Sequence, residues 1–212
     1  MQAARGFDHW LRFVAKPLVF AACLAPFVLL LEGALTGDLG ANPLERVTDV
    51  TGRWGLRLLL LTLAVTPLRR LTGWSWLQRF RRMLGLFVFF YITLHFLTWV
   101  WLDQQFSWGN ILADIITRPY VTVGFTAWLL LLPLAATSTR GMMRRLGRRW
   151  QSLHRAIYLI AVLGVLHYIW LVKADLLEPL IYAGLLALLL AVRWRPRLLA
   201  GFLPGERLIN IR

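Results

Sequence analysis

Six stretches of this chain are apolar over most of the length a bilayer requires, and each is closed off by charged residues. They run approximately Pro17 to Leu35, Trp54 to Leu68, Leu84 to Leu102, Pro119 to Ala136, Leu153 to Val172 and Leu176 to Val192. A spanning helix needs about 20 predominantly apolar residues, so the second and the last are short. The connections alternate in composition. Arg69, Arg70, Arg79, Arg81 and Arg82 occupy the second and Arg140, Arg144, Arg145, Arg148 and Arg149 the fourth, with no acid in either. The first mixes Asp38, Glu45, Arg46, Asp49 and Arg53, the third has Asp103, Asp114 and Arg118, and the fifth has Lys173, Asp175 and Glu178. Basic residues concentrate in cytoplasmic loops, which places the arginine-rich connections inside, together with both termini (Arg5, Arg12, Lys16; Arg193, Arg195, Arg197). The pattern predicts an all-α integral membrane protein, a six-helix transmembrane bundle with both termini cytoplasmic, forming one domain over residues 1–212. Trp54, Trp99, Trp101 and Trp170 fall at the outer ends of the spans and Trp10, Trp74, Trp76, Trp150 and Trp194 at the inner ends, as interfacial aromatic belts do.

Composition sharpens this reading. Of 212 residues, 58% are hydrophobic and 16% charged, against roughly a quarter charged in a soluble domain. The 24 Lys and Arg outnumber the 10 Asp and Glu for a net charge of +14. Because those cations are divided among four membrane-flanking segments rather than forming one stripe, a nucleic-acid partner is excluded. Topology and contact with anionic lipid account for most of them. A lone cysteine, Cys23, rules out an intramolecular disulfide and cysteine-based zinc or iron–sulfur sites. The apolar run after Arg12 and Lys16 is followed by no small-residue cleavage site and reads as an uncleaved anchor. No internal repeat, low-complexity tract or GxGxxG loop is read along the chain.

Of four histidines, three lie in spans: His95 in the third, His154 at the start of the fifth and His167 deeper in the fifth. An ionisable residue inside a bilayer is by default functional. His95 comes 13 residues after Arg82 and His167 comes 12 after Arg155, so at about 1.5 Å per residue both sit in the outer half of the membrane. Two imidazoles at one height on adjacent helices suit bis-axial ligation of a b-type haem iron. His154 lies 13 residues before His167, about 20 Å nearer the cytoplasm, where a second haem would complete a path across the bilayer. On a straight helix that step turns the side chain about 140° away, and no histidine on the third span stands at the matching height. His9, beside Trp10, reads as interfacial. Arg144, Arg145, Arg148, Arg149 and Arg155 are candidates for haem propionates or a flavin phosphate, which guanidinium binds bidentately. Arg118 is not needed for topology on the outer side and is a candidate propionate or partner contact. Gly85 and Gly164 would let a macrocycle approach the backbone, and Glu32 and Arg57 would pair across the first two spans.

Longer runs carry a family resemblance. GANPLERVTDVTGRWGLRLLLLTLAVTPLRR (40–70), RRMLGL with the LH at 94–95, ITRPYVTVG (116–124), TSTRGMMRRLGRRWQSLHRAIYLIAVLGVLHYIWLVK (137–173) and PLIYAGL (179–185) resemble the MsrQ (YedZ) family. These are haem-binding membrane subunits of a periplasmic methionine sulfoxide reductase system, within the ferric-reductase-like transmembrane superfamily. The resemblance implies six helices, one or two haem b on His95, His154 and His167, FMN association, and electron delivery to a periplasmic molybdopterin reductase, MsrP. It implies a multi-pass protein of the bacterial inner membrane that serves as an electron-transfer subunit rather than the catalytic one. With no nucleotide-binding loop in the chain, the donor would be quinol, bound flavin or a separate flavin reductase. Competing readings are a proton-coupled transporter relaying protons through its histidines, a stand-alone ferric-reductase-like haem protein, and a structural anchor for a periplasmic partner.

Overall fold

The computed structural model describes residues 2–194, with side chains from Gly6 onward, and these residues form helices and no strands. Arg195 and Arg197, read above as cytoplasmic charges, lie outside the described residues, as does the side chain of Arg5. The helices are α1 (Gln2–Trp10), α2 (Lys16–Thr36), α3 (Pro43–Thr72), α4 (Arg81–Thr98), α5 (Trp108–Thr117), α6 (Pro119–Ala136), α7 (Arg140–Leu146), α8 (Arg148–His154), α9 (Ala156–Leu171) and α10 (Leu177–Trp194). A π-helical turn, Leu11–Ala15, joins α1 to α2, and another, Trp99–Asp103, extends α4.

Five helices are long and apolar enough to cross a membrane: Gly6–Thr36, Arg81–Asp103, Pro119–Ala136, Arg148–Leu171 and Leu177–Trp194. The sixth predicted span falls inside α3, which Arg53 and Arg57 keep from meeting that measure. Its 30 residues also reach well beyond the predicted start at Trp54. Local chemistry explains the extension. The Asn42 side chain caps the helix by accepting from the Glu45 N–H (3.3 Å) while its amide donates to the Glu45 carboxylate (2.9 Å), and Pro43 follows at the first helical position. Gly73 closes the other end in the left-handed conformation, φ 76°.

The charges that interrupt α3 are paired. Arg53 bonds Asp49 one turn earlier and Glu178 of α10 (3.2 Å), while Arg57 meets the same Glu178 (3.8 Å) and donates to the Tyr182 hydroxyl (2.9 Å). Arg57 therefore finds its partners on α10, not at Glu32. Below this polar collar α3 is the most enclosed helix, with Leu56, Leu58, Leu59, Leu60 and Leu63 all buried. It packs on α2, α4, α9 and α10. The outward faces of the bundle carry large apolar side chains such as Leu18, Leu29, Leu159 and Leu188, each more than half exposed and suited to lipid.

Two elements were not anticipated. The predicted third connection contains α5, whose exposed Trp108, Leu112 and Ile116 recur every four residues as one apolar stripe. Ten residues cannot span, but such a stripe suits a helix lying in the membrane interface. Secondly, the predicted fifth span is interrupted at Arg155, where α8 meets α9.

Tyr91 ties the first span to the rest. Its ring is fully buried, and its hydroxyl donates to the Cys23 carbonyl (2.8 Å) while accepting from the Phe27 N–H (3.1 Å). Those two backbone groups stand four apart in α2, around Pro26, so the hydroxyl is spliced into the helix ladder where proline disturbs it. Tyr91→Phe would leave both groups without that partner in an apolar interior. It is expected to destabilise the protein by about 1–3 kcal/mol, read as a lowered thermal unfolding midpoint in detergent.

Candidate functional site

His95 lies near the end of α4 and His167 near the end of α9, and the two rings face each other with centroids 6.1 Å apart and planes at 83°. Each is held from behind by a carbonyl of a neighbouring helix. The His95 Nδ1 stands 2.9 Å from the Thr48 carbonyl of α3, and the His167 Nδ1 stands 2.7 Å from the Tyr120 carbonyl of α6. A carbonyl can only accept, so both Nδ1 atoms donate, and in the neutral form that an apolar surrounding favours each imidazole keeps its lone pair on Nε2. That is the usual support for a metal-ligating histidine.

The two sets are copies. Thr48 and Tyr120, Gly52 and Gly124, and His95 and His167 are each 72 residues apart, as are Arg46 and Arg118. The helix pairs that carry them, α3 with α4 and α6 with α9, are the two most extensively packed in the bundle. Both pairs begin at the same end of the bundle, so the units repeat in parallel. The sequence reading of no internal repeat is thus corrected: side chains diverge while a backbone-and-ligand pattern recurs.

Both rings line a cavity of about 990 Å³. Its walls are Leu56, Ile92, Phe96, Trp128, Leu131 and Ile160, and its rim carries Arg46, Asp49, Arg53, Asp103 and Arg118. Phe96 and Trp128 stack at 4.0 Å, and the Trp128 indole donates to Thr93 (3.3 Å), which stiffens one wall. Arg118 is bonded to Asp114 (3.1 Å) and approaches the Tyr120 hydroxyl (3.4 Å). The hydroxyl of Tyr120 and then Asp114 push its guanidinium further up, so it remains a cation at the cavity mouth.

A centroid separation of 6.1 Å leaves room for one metal ion bonded to both Nε2 atoms at about 2 Å. Among the described residues no group of three or more His, Cys, Asp or Glu is gathered as a metal site. The group that fits must bring its remaining ligands with it, as a planar macrocycle does, and the apolar cavity, whose rim carries Arg46, Arg53 and Arg118 among the acids Glu45, Asp49 and Asp103, suits a porphyrin with arginines at hand for its carboxylates.

The other candidates lie elsewhere. His154 is stacked on Trp150 (4.0 Å), with Nε2 3.0 Å from the Thr137 hydroxyl. That hydroxyl donates to the Pro133 carbonyl (2.6 Å), so it accepts from His154, whose Nε2 carries the proton. This is the opposite tautomer to the outer pair. His9 is exposed beside Phe13. Arg149 is exposed and Arg155 donates to Ser152 (3.0 Å); neither lines the cavity. At that end of the bundle Arg81 faces Arg69 and Arg193, and Arg193 lies over the Tyr158 ring at 4.7 Å. Gly164 lines the cavity but Gly85 does not. The glycines at the rings, Gly52 and Gly124, were not singled out, although their common distance from a histidine was there to read.

The ferric reductase like transmembrane component family matches residues 51–165. A Rhodospirillum rubrum protein is 60% identical over 179 residues, covering 84% of this chain and 86% of its own. Relatives from Xanthomonas campestris pv. campestris (55% over 194 residues, 88% of each chain) and Herminiimonas arsenicoxydans (52% over 189 residues, 86% of this chain and 87% of its own) match over a similar share. All three are called protein-methionine-sulfoxide reductase heme-binding subunit MsrQ. The chain belongs to the MsrQ family. As a member with several helices of spanning length, it is a multi-pass membrane protein. No solved structure matches it. Within this MsrQ-family chain the family match encloses His95 and His154 and ends two residues before His167, so one member of the facing pair lies just beyond it.

Proposed function

We propose that the chain is the haem-binding, electron-transferring membrane subunit of a methionine sulfoxide reductase system, with haem b held between His95 and His167. The observation that carries this reading is the pair of imidazoles lining one apolar cavity with centroids 6.1 Å apart, each ring held through Nδ1 by a carbonyl of a neighbouring helix. Haem, when bound, supplies an iron that takes up and gives off one electron at a time. The protein's part is to hold two neutral donors in place, exclude water through the Phe96, Trp128 and Leu131 walls, and set cations at the rim. Arg118 and its counterpart Arg46 are placed to meet carboxylates there. A b-type rather than a covalently attached haem follows from the lone cysteine, which is buried in α2.

In this reading α3 is a sixth crossing, its outer collar of charge neutralised by Glu178, and both termini face the cytoplasm. The protein resides in the bacterial inner membrane. Electrons enter on the arginine-rich side from quinol or a separate flavin reductase and leave at the end of the bundle where α4 and α9 finish. There a periplasmic MsrP-like molybdopterin reductase receives them, docking on the Asp103–Arg118 segment. FMN, implied by family membership, would place its phosphate at the inner arginines; Arg149, exposed and in no ion pair among the described residues, and Arg155 are the candidates. A second haem on His154 would use Nδ1, since Nε2 is engaged by Thr137, and no second imidazole faces that ring among the described residues, which favours a single haem.

Replacing either His95 or His167 by Ala is expected to abolish the bis-imidazole optical spectrum while the protein still inserts; haem content unchanged in both variants would reject the reading. Pyridine haemochrome quantitation should return one haem per chain, indifferent to His154→Ala, and a higher ratio that falls in that variant would establish the inner site instead. For the exit side, stopped-flow reoxidation of the prereduced protein by oxidised partner reductase should slow in Arg118→Ala and not in Arg144→Ala. Equal rates with an intact outer spectrum would remove Arg118 from the docking surface.

A further inference from the structure

The two imidazoles reach their carbonyls through gaps that a side chain would close. A Cβ on Gly52 would stand 3.0 Å from Nδ1 and 3.1 Å from Cε1 of His95, and one on Gly124 would stand 2.7 Å and 2.9 Å from the same atoms of His167. Each glycine follows its carbonyl by one helical turn, Gly52 after Thr48 in α3 and Gly124 after Tyr120 in α6, so it lies over that carbonyl on the same helix face. The carbonyl has a second lone pair beyond its own helix bond. Only a residue without a side chain leaves that lone pair open to a ring from the next helix. Glycine inside a helix is otherwise disfavoured relative to alanine, and no left-handed backbone requires it at either place.

We propose that Gly52 and Gly124 are a matched pair of positioning residues, which open the Thr48 and Tyr120 carbonyls to the Nδ1–H of His95 and His167 and thereby aim both Nε2 atoms into the cavity. The inference rests on the reading of these histidines as haem ligands. With a methyl group in the gap, the ring must withdraw or turn over. Withdrawal strands a polar N–H in an apolar wall; turning over puts the carbon Cε1 where Nε2 stood. Either way the bond to the iron lengthens or is lost on that side alone, and one ligand remains.

The test compares Gly124→Ala, Gly52→Ala and Gly85→Ala in the full-length chain in membranes, at equal amounts of inserted protein. Gly85 has nothing within 4 Å of a built Cβ and lies outside the cavity. Low-temperature electron paramagnetic resonance and optical spectra report axial ligation independently of electron delivery. Gly124→Ala, the tighter contact, is expected to lose most of the low-spin bis-imidazole signal in favour of a high-spin one. Gly52→Ala should lose less, and Gly85→Ala should match the unaltered chain. Wild-type spectra from either of the first two variants at that residue overturn the assignment. So does failure of both to insert while Gly85→Ala inserts normally, since the glycines would then serve folding and not ligation. Absence of a bis-imidazole signal from the unaltered chain would instead sink the haem reading itself, a result separable from the others.

Discussion

An imidazole in hydrocarbon has two ring nitrogens and no water to satisfy either, and the centre of this bundle is arranged around that constraint. One nitrogen must donate to something rigid if the other is to keep a lone pair for a metal. Carboxylates would bring charge into the apolar region, so the acceptors are main-chain carbonyls, one from α3 and one from α6. A carbonyl within a helix can serve only if the neighbouring backbone comes very close. That closeness is what the packing of α3 against α4 and of α6 against α9 provides, and it leaves the space between the two pairs as the cavity.

The polar groups elsewhere in the bundle obey the same accounting. The Tyr91 hydroxyl serves both backbone groups beside Pro26, and Glu178 serves two arginines of α3 at once. The Glu178 pairs are about one-third exposed, so each contributes little to stability. Their effect is on placement: a helix carrying Arg53 and Arg57 is kept in the middle of the bundle, with its leucines buried below. The opposite end is different: Arg69, Arg81 and Arg193 gather there, and Asp8 is taken up by Arg79, a concentration of positive charge of the kind that suits an anionic leaflet.

Much of this was legible in the chain. The apolar runs located four of the five spanning helices to within about five residues, Pro119–Ala136 at both ends, and the end but not the start of the first, which begins at Gly6 rather than near Pro17; counting residues from the arginine clusters placed His95 and His167 at one height. What stayed hidden depended on contacts between distant segments. Nothing in the neighbourhood of Tyr91 indicates that its hydroxyl enters another helix, and Arg57 has no local feature that selects Glu178 over Glu32. The charges of α3 obscured its length because paired and unpaired charges look alike in one dimension. The repeat escaped notice because its constant elements are two glycines, two histidines and two main-chain oxygens, and the oxygens have no identity in a sequence. Being parallel, it also differs from the inverted repeat of many transporters.

On the proposed ligation, the duplicated arrangement gives one ligand to each helix pair, His95 to α3–α4 and His167 to α6–α9. Neither pair alone can hold a six-coordinate metal, so occupancy acts as a cross-link between halves that otherwise meet through side-chain packing. By mass action, whatever binds only when the halves are together adds its binding free energy to their association. With His95 and His167 as the proposed ligands, cofactor supply would govern how firmly the two halves of the bundle are joined, and assembly of the membrane protein would be coupled to the cell's stock of its prosthetic group.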